Sequence, residues 1–226
     1  MAFLRRAPAG IQGKPGTLLC LSASFNPLTV AHCALIQAAG RIVSPDEVLL
    51  LLARANVDKA VTGLPLTERL DLLRRFAETR PGISVAATSH GRFVDKIQAI
   101  LPRYPRGTRL VFLLGLDTLI RLFDPKYYRD RDAALAKLFA KSECIVANRS
   151  PDRPAALATF LARPEVRPYA SRIQAIELPE EVAAVSATTV RLRLGRGEPI
   201  LGLVPPEILP ALTSPYRVGQ RRSKAE

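Results

Sequence analysis

A hydroxyl and an imidazole stand at helical spacing after the first apolar run of the chain. Thr29 and His32 are three positions apart, so both lie on one face of a helix that begins near Thr29. The first turn of a helix offers free N–H groups and the positive end of the helix dipole, which stabilise an anion. Both side chains could then reach a phosphate held there. A Thr29 that caps the helix and a buried, hydrogen-bonded His32 explain the same pattern without a ligand.

A second helix start with similar chemistry lies near the end of the chain. Ser186 is a typical N-cap residue, and Thr188 and Arg191 follow it within the first helical turns. A helix dipole, hydroxyl donors and a guanidinium fork together suit a polyphosphate. An ordinary capped helix with an exposed arginine is the alternative. Two such helix starts in one chain favour phosphate binding.

The elements that must position these residues alternate along the chain. Short apolar runs predict buried strands, and amphipathic segments of about ten to fourteen residues predict the helices between them. The predicted strands are 17–22, 47–54, 82–88, 109–116, 143–148 and 172–178, and the predicted helices are 30–43, 66–79, 92–101, 130–140, 154–162 and 186–194. This alternation predicts an α/β fold, a Rossmann-like doubly wound parallel sheet with helices on both faces. Ligands of such sheets bind at the carboxyl ends of the strands, where both helix starts would lie.

The composition excludes several classes of protein. The chain has 226 residues, 48% hydrophobic and 23% charged, which is typical of a single globular domain. Its longest apolar runs, 48–53 and 110–116, are far shorter than the roughly 20 residues of a membrane-spanning helix. Residues 1–16 lack the pattern of a secretory signal, so we expect a cytoplasmic protein without a membrane partner. We expect one domain over 1–226, with flexible termini at 1–16 and 218–226.

The cysteines and histidines are few and widely spaced. Cys20, Cys33 and Cys144 form no Cys-x-x-Cys pair, and the two histidines are His32 and His90. A disulfide scaffold and a structural zinc site are therefore excluded.

The charge balance favours anionic partners. There are 33 lysines and arginines against 20 aspartates and glutamates, a formal net charge of +13. Such a surface attracts nucleotides, nucleic acids or acidic membranes, although a solvated basic face in an arginine-rich chain is the favoured explanation of the charge. Nucleic-acid binding, with the basic tail residues Arg217, Arg221, Arg222 and Lys224, is the less favoured interpretation because no nucleic-acid module signature is present.

Two more segments complete four motifs in a defined order. Residues 56–59, which end at Lys59, precede a helix that contains Arg69, and residues 113–119 contain Gly115 and Asp117. With 24–32 and 186–191, and with Val204, Pro205 and Tyr216 near the end, these segments resemble the nucleotidyltransferase superfamily with an H/T-x-G-H signature. The ordered set is most similar to the nicotinamide/nicotinate mononucleotide adenylyltransferase family, over about residues 17–217.

The resemblance implies a role for each matching residue. Ser24 and Phe25 would line the nucleotide cleft with their backbone, and Gly115 and Asp117 would lie at the ribose. The implied ATP-binding residues are Ser24, Phe25, Thr29, His32, Gly115, Asp117, Ser186, Thr188 and Arg191. The implied catalytic residues are His32, Lys59 and Arg191. The implied acceptor-binding residues are Phe25, Asn26, Lys59, Phe123, Tyr127 and Tyr128.

The sequence departs from the family pattern at three points. Ala23 and Ala31 stand where many relatives have glycine, and the chain has no tryptophan. Many relatives stack the pyridine ring of the acceptor on a tryptophan after the third motif. Phe123, Tyr127 or Tyr128 could supply that aromatic face here.

The resemblance implies a reaction as well. The 5′-phosphate of nicotinamide or nicotinate mononucleotide would attack the α-phosphorus of ATP and give a dinucleotide and pyrophosphate. We expect Mg²⁺ held mainly by the substrate phosphates, and no protein metal site. A different phosphorylated acceptor, such as phosphopantetheine, and an ATP-hydrolysing relative are the alternatives within the superfamily. The oligomeric state is left open, a homo-oligomer included.

Overall fold

The computed structural model of the chain describes residues 1–53, 63–148 and 153–213. A seven-stranded sheet forms the centre of this part. The strands are β1 (Ala2–Arg5), β2 (Thr17–Ala23), β3 (Glu47–Ala53), β4 (Ile83–Thr88), β5 (Arg109–Gly115), β6 (Ser142–Asn148) and β7 (Ile173–Glu177). The helices are α1 (Val30–Val43), α2 (Leu66–Glu78), α3 (Phe93–Ile100), α4 (Leu116–Phe123), α5 (Arg131–Phe139), α6 (Arg153–Leu161), α7 (Glu180–Ala183), α8 (Ala187–Arg196) and α9 (Leu209–Thr213).

The strand order is β1-β4-β3-β2-β5-β6-β7. All neighbouring strands are parallel except β1, which runs antiparallel to β4. The chain moves outward from β2 through β3 to β4, and then returns to β5 on the other side of β2. This is the predicted doubly wound α/β sheet, and its strand order reverses between β2 and β5.

Two apolar layers cover the two faces of the sheet. Along β2, Leu19 and Leu21 point into one layer, whereas Leu18 and Cys20 point into the other. The first layer packs against α1, α2 and α8, and the second against α3, α4, α5 and α6. Burial on both faces explains why every residue of β3 is buried.

The N-terminal segment, for which we expected a flexible terminus over 1–16, contributes a strand to the sheet. β1 pairs with β4 and forms one edge of the sheet, and the buried Glu47 contacts the chain beyond β1. Its carboxylate accepts hydrogen bonds from the Ile11 backbone N–H at 2.9 Å and from the Tyr104 hydroxyl at 2.6 Å. These partners are distant in sequence, so the local pattern carried no signal for them.

Helix α4 was also missing from the sequence prediction. The apolar run that predicts a strand over 109–116 continues into this helix, because the strand ends at Gly115 and α4 begins at Leu116. The buried face of α4 consists of Leu116, Leu119, Leu122 and Phe123, which is the i, i+3, i+6, i+7 spacing of an amphipathic helix.

Within the ranges described, no helix combines the length and the apolar content that a bilayer-spanning segment requires.

Candidate active site

The carboxyl ends of β2 and β5 form the crevice where the strand order reverses. β2 pairs directly with β5 from Thr17 to Leu21. After β2 the chain turns into α1, which packs on one face of the sheet, and after β5 it enters α4 on the other face. Two helix starts therefore flank one opening, and ligands of doubly wound sheets bind at such a point.

Thr29 and His32 meet at the start of α1, as their spacing predicts. Thr29 is the N-cap residue, and its backbone N–H donates to Nδ1 of His32 at 3.1 Å. The Thr29 hydroxyl lies 2.8 Å from the same nitrogen. Because Nδ1 accepts from a backbone N–H, we assign the proton of the neutral imidazole to Nε2. Both residues are buried, and the hydroxyl of Thr29 contacts the imidazole of His32; the phosphate contact expected for Thr29 stays a prediction.

Phe25 supports the imidazole from the preceding loop. Its ring is buried, and its centroid lies 5.4 Å from that of His32. Its backbone is in the left-handed region with φ of 44°, which is costly for a residue with a Cβ. The side chain of Phe25 is thus a packing element beside His32, and only the backbone of this turn can face an acceptor or a nucleotide.

Ser186 is the N-cap of α8, as predicted. Its Oγ accepts from the Thr189 backbone N–H at 3.0 Å and lies 2.8 Å from the Thr189 hydroxyl. Thr188 accepts from Nη2 of Arg191 at 3.1 Å, so this hydroxyl orients the guanidinium. The start of α8 therefore presents backbone N–H groups and an oriented guanidinium.

Arg191 joins the two helix starts. Its Nη1 donates to the carbonyl of Asn26 at 2.7 Å, across 165 positions of sequence. A guanidinium has five N–H donors, so others remain for a ligand. This contact places the first motif (residues 24–32) and the fourth motif (residues 186–191) at one location.

Asn26 and Gly63 complete the junction, and sequence reasoning missed this role for both. Asn26 is buried, and its Oδ1 accepts from the Leu64 backbone N–H at 2.9 Å. Its amide oxygen thus anchors the residues before α2, and the acceptor contact expected for Asn26 stays a prediction. Gly63 has φ of 107°, and a Cβ built there would lie 2.6 Å from Cδ of Arg191 and 2.9 Å from the Asn26 amide. The Gly63, Leu64, Pro65 sequence, typical of a turn, was a local signal for the glycine.

We expect Gly63→Ala to weaken both folding and ATP use. The substitution forces an alanine into a glycine conformation and displaces Arg191, so the free energy of unfolding should fall by roughly 1–3 kcal/mol. Thermal denaturation and steady-state kinetics with varied ATP measure the two effects. Gly82→Ala is the matched control, because a Cβ at Gly82 meets nothing within 4 Å. Equal behaviour of the two variants would contradict the close approach at Gly63.

The third motif lies at the start of α4. Gly115 is its N-cap residue, and a Cβ added there would meet nothing within 4 Å. Asp117 lies in the first turn and is exposed. The open space at Gly115 suits the close approach of a substrate sugar, and the Asp117 carboxylate can accept from a hydroxyl.

The three candidate aromatic residues have different environments. Phe123 is only 4% exposed and packs against the rings of Phe139, Phe160 and Tyr169. Its ring belongs to the core, and this corrects the expectation that it could stack on a pyridine. Tyr127 and Tyr128 are half-buried, and the Tyr128 hydroxyl donates to the Leu122 carbonyl at 2.8 Å.

Several expected positions lie outside the described residues. Lys59 and the rest of the second motif fall within 54–62. Tyr216 and the basic tail fall within 214–226.

The cysteines lack the features of nucleophiles. Burial raises the pKa of the Cys20 and Cys144 thiols to about 12, and that of Cys33 to about 11. A thiol with such a pKa stays protonated near neutral pH.

One cavity in the described part of the chain lies away from this crevice. It has a volume of about 450 Å³ and is lined by residues that include Arg6, Glu47 and Tyr104. Glu47 is the first residue of β3, so this cavity lies at the amino edge of the sheet. The Glu47 carboxylate is already hydrogen-bonded there to Tyr104 and Ile11. The geometry therefore favours the carboxyl edge as the functional site.

Comparisons with known proteins agree with the family that the sequence motifs resemble. The cytidylyltransferase-like family model matches residues 21–193. A Bordetella pertussis protein assigned as a nicotinate-nucleotide adenylyltransferase is 30% identical over 193 residues, which are 82% of this chain and 89% of that protein. A Schizosaccharomyces pombe protein assigned as a nicotinamide mononucleotide adenylyltransferase is 33% identical over 147 residues, 63% of this chain and 56% of that protein.

A solved structure matches the fold. The nicotinic acid mononucleotide adenylyltransferase of Plasmodium falciparum, complexed with NaAD, superposes with a TM-score of 0.63 at 16% identity. The match covers 93% of this chain and 98% of that chain. The chain belongs to the cytidylyltransferase-like family and, within it, to the nicotinamide/nicotinate mononucleotide adenylyltransferases.

Proposed function

We propose that this chain transfers AMP from ATP to nicotinamide or nicotinate mononucleotide and releases pyrophosphate. The hydrogen bond from Arg191 to the carbonyl of Asn26 carries this proposal. It brings the start of α8 beside the start of α1, so two positive helix ends, an imidazole and a guanidinium converge. Such a set suits a triphosphate better than a single phosphate.

In the proposed reaction, a phosphate oxygen of the mononucleotide attacks the α-phosphorus of ATP in line. The new P–O bond forms as the bond from the α-phosphorus to the bridging oxygen of pyrophosphate breaks, and that oxygen takes the electron pair. The nucleophile is already an anion, so no general base is required. Catalysis then depends on position and on stabilised charge.

Each proposed catalytic group has one task. The Nε2–H of His32 donates to a phosphate oxygen where negative charge increases in the transition state. Arg191 binds the β- and γ-phosphates, which leave as pyrophosphate, and the backbone N–H groups at the start of α8 assist it. Lys59, outside the described residues, is proposed as a further cation over the phosphates.

Mg²⁺ is proposed to bind mainly through the substrate phosphates. Apart from the single carboxylate of Asp117, the described groups at the crevice are hydroxyls, an imidazole and a guanidinium, and this set fits phosphate oxygens better than a hard cation. Within the described ranges no three His, Cys, Asp or Glu side chains cluster as metal ligands. When bound, Mg²⁺ would neutralise charge on the triphosphate.

An acceptor panel tests the proposed reaction. The protein is incubated with ATP and Mg²⁺ and with nicotinamide mononucleotide, nicotinate mononucleotide, phosphopantetheine or no acceptor. We expect a dinucleotide and equimolar pyrophosphate with at least one pyridine mononucleotide. Products with phosphopantetheine alone, or ATP hydrolysis that is unchanged by every acceptor, would overturn the proposal.

Tyr127 and Tyr128 are the proposed aromatic face for the pyridine. Stacking on an aromatic ring contributes roughly 0.5–1.5 kcal/mol beyond burial, so we expect alanine at the responsible position to raise the KM for the mononucleotide about twofold to tenfold. The KM for ATP should stay nearly unchanged. Tyr127→Phe and Tyr128→Phe keep the ring and are the matched controls. An equal rise of both KM values would contradict the stacking role.

A further inference from the structure

Arg69 is a buried cation beside the nucleotide-binding loop. It lies on α2 and is only 3% exposed. Its Nη1 donates to the carbonyl of Ser24 at 2.9 Å. Its Nε is buried without a hydrogen-bond partner in the described part of the chain. Burial lowers the pKa of Arg69, yet a guanidinium stays charged at neutral pH.

This arrangement is costly for a residue that only fills space. Among residues 1–53, 63–148 and 153–213 no carboxylate forms a salt bridge with Arg69. Burial of an uncompensated charge or an unbonded donor destabilises the folded state, and an apolar side chain of similar size would avoid that cost.

Arg69 bonds to Ser24, and the next residue in the chain is Phe25, whose backbone is strained. The carbonyl of Ser24 precedes Phe25, and that of Asn26 follows it. Arg69 binds the first carbonyl at 2.9 Å, and Arg191 binds the second at 2.7 Å. Two guanidiniums from two helices thus fix both sides of a residue with φ of 44°. A strained conformation persists only where its surroundings determine it in this way.

The turn at Phe25 in turn determines where His32 lies. The two rings pack with centroids 5.4 Å apart, so relaxation of the turn would withdraw support from the imidazole. We propose that Arg69 is a positioning residue of the nucleotide-transfer site, which acts through the carbonyl of Ser24 and the turn at Phe25. The assigned reaction rests on the proposed function, whereas the effect on ATP binding does not.

Two substitutions separate this role from ordinary structural support. Arg69→Met removes every donor but keeps a long side chain, and Arg69→Lys keeps the charge and one donor for Ser24. Arg75→Met is the matched control, because Arg75 lies on the same helix and pairs at the surface with Asp71. Thermal denaturation, calorimetric titration with Mg-ATP without acceptor, and kinetics with varied ATP are measured for all variants.

We expect kcat/KM for ATP to fall about tenfold in Arg69→Met, since small displacements of binding groups reduce rates by such factors. The Kd for ATP should rise in the same variant. Arg69→Lys should lie between Arg69→Met and the wild type, and Arg75→Met should match the wild type. A purely structural role would lower the melting temperature without this order in the ATP parameters.

Opposite outcomes overturn the proposal. A folded Arg69→Met variant within twofold of the wild type in both Kd and kcat/KM for ATP excludes positioning. If Arg69→Lys binds and uses ATP as poorly as Arg69→Met, the effect cannot be assigned to the hydrogen bond with Ser24. If Arg69→Met does not fold, Arg69→Lys is judged alone, and wild-type ATP parameters exclude positioning. A wild-type protein that binds ATP without transfer to a pyridine mononucleotide refutes the proposed function, and the Kd series still decides the role of Arg69.

Discussion

Replacement of His32 by alanine should lower kcat by roughly 10²-fold or more, with a smaller change in KM for ATP. The reason is that a preorganised donor contributes most where charge develops in the transition state. Nδ1 of His32 accepts a hydrogen bond from the backbone N–H of Thr29 at 3.1 Å. The nitrogen proposed to donate to the phosphate is therefore Nε2. Steady-state kinetics with saturating acceptor, together with the melting temperature, measure the effect.

Two variants control this result. His32→Gln restores an N–H donor near the position of Nε2 and should recover part of kcat. Gln37→Ala shortens an exposed side chain on the same helix and should leave kcat unchanged. Near wild-type turnover of folded His32→Ala would show that the imidazole serves only the capping of α1.

Arg191→Lys should reduce kcat/KM for ATP by on the order of 10²-fold although the charge is kept. Bonds from a charged donor contribute about 1.5–3 kcal/mol each. Lysine lacks the planar fork that binds Thr188 at 3.1 Å and Asn26 at 2.7 Å, and that would bind phosphate oxygens at the same time in the proposed complex. The loss should appear in ATP parameters first, because the β- and γ-phosphates are the assigned ligands.

Arg196→Lys is the matched control on the same helix. Arg196 is mostly exposed and lies 3.7 Å from Glu198, so its replacement should leave ATP kinetics unchanged. Unaltered ATP kinetics in Arg191→Lys would contradict the phosphate contact. The role of Arg191 would then be only its hydrogen bond to Asn26.

The class of fold and the family could be predicted because their signals are local. Buried parallel strands are continuous apolar runs, and the helices that cover them keep a 3.6-residue period. Ser186 was predicted as an N-cap from its own chemistry, and the structure confirms it. The nucleotidyltransferase resemblance depended on short motifs in a fixed order, and the family comparisons confirm it. The individual site residues remain proposals.

The roles of other residues depended on contacts that no local pattern specifies. Phe123 has an aromatic ring and the sequence position of a ligand-stacking residue, yet its ring is buried because it packs against α5 and α6. Asn26 bonds to Leu64 across 38 positions, and Arg69 bonds to Ser24 across 45. Hydrogen bonds at such separations form only after the sheet has brought α2 and α8 to the loop after β2. Periodicity reports which face of an element is buried, whereas the identity of the group it meets depends on tertiary packing.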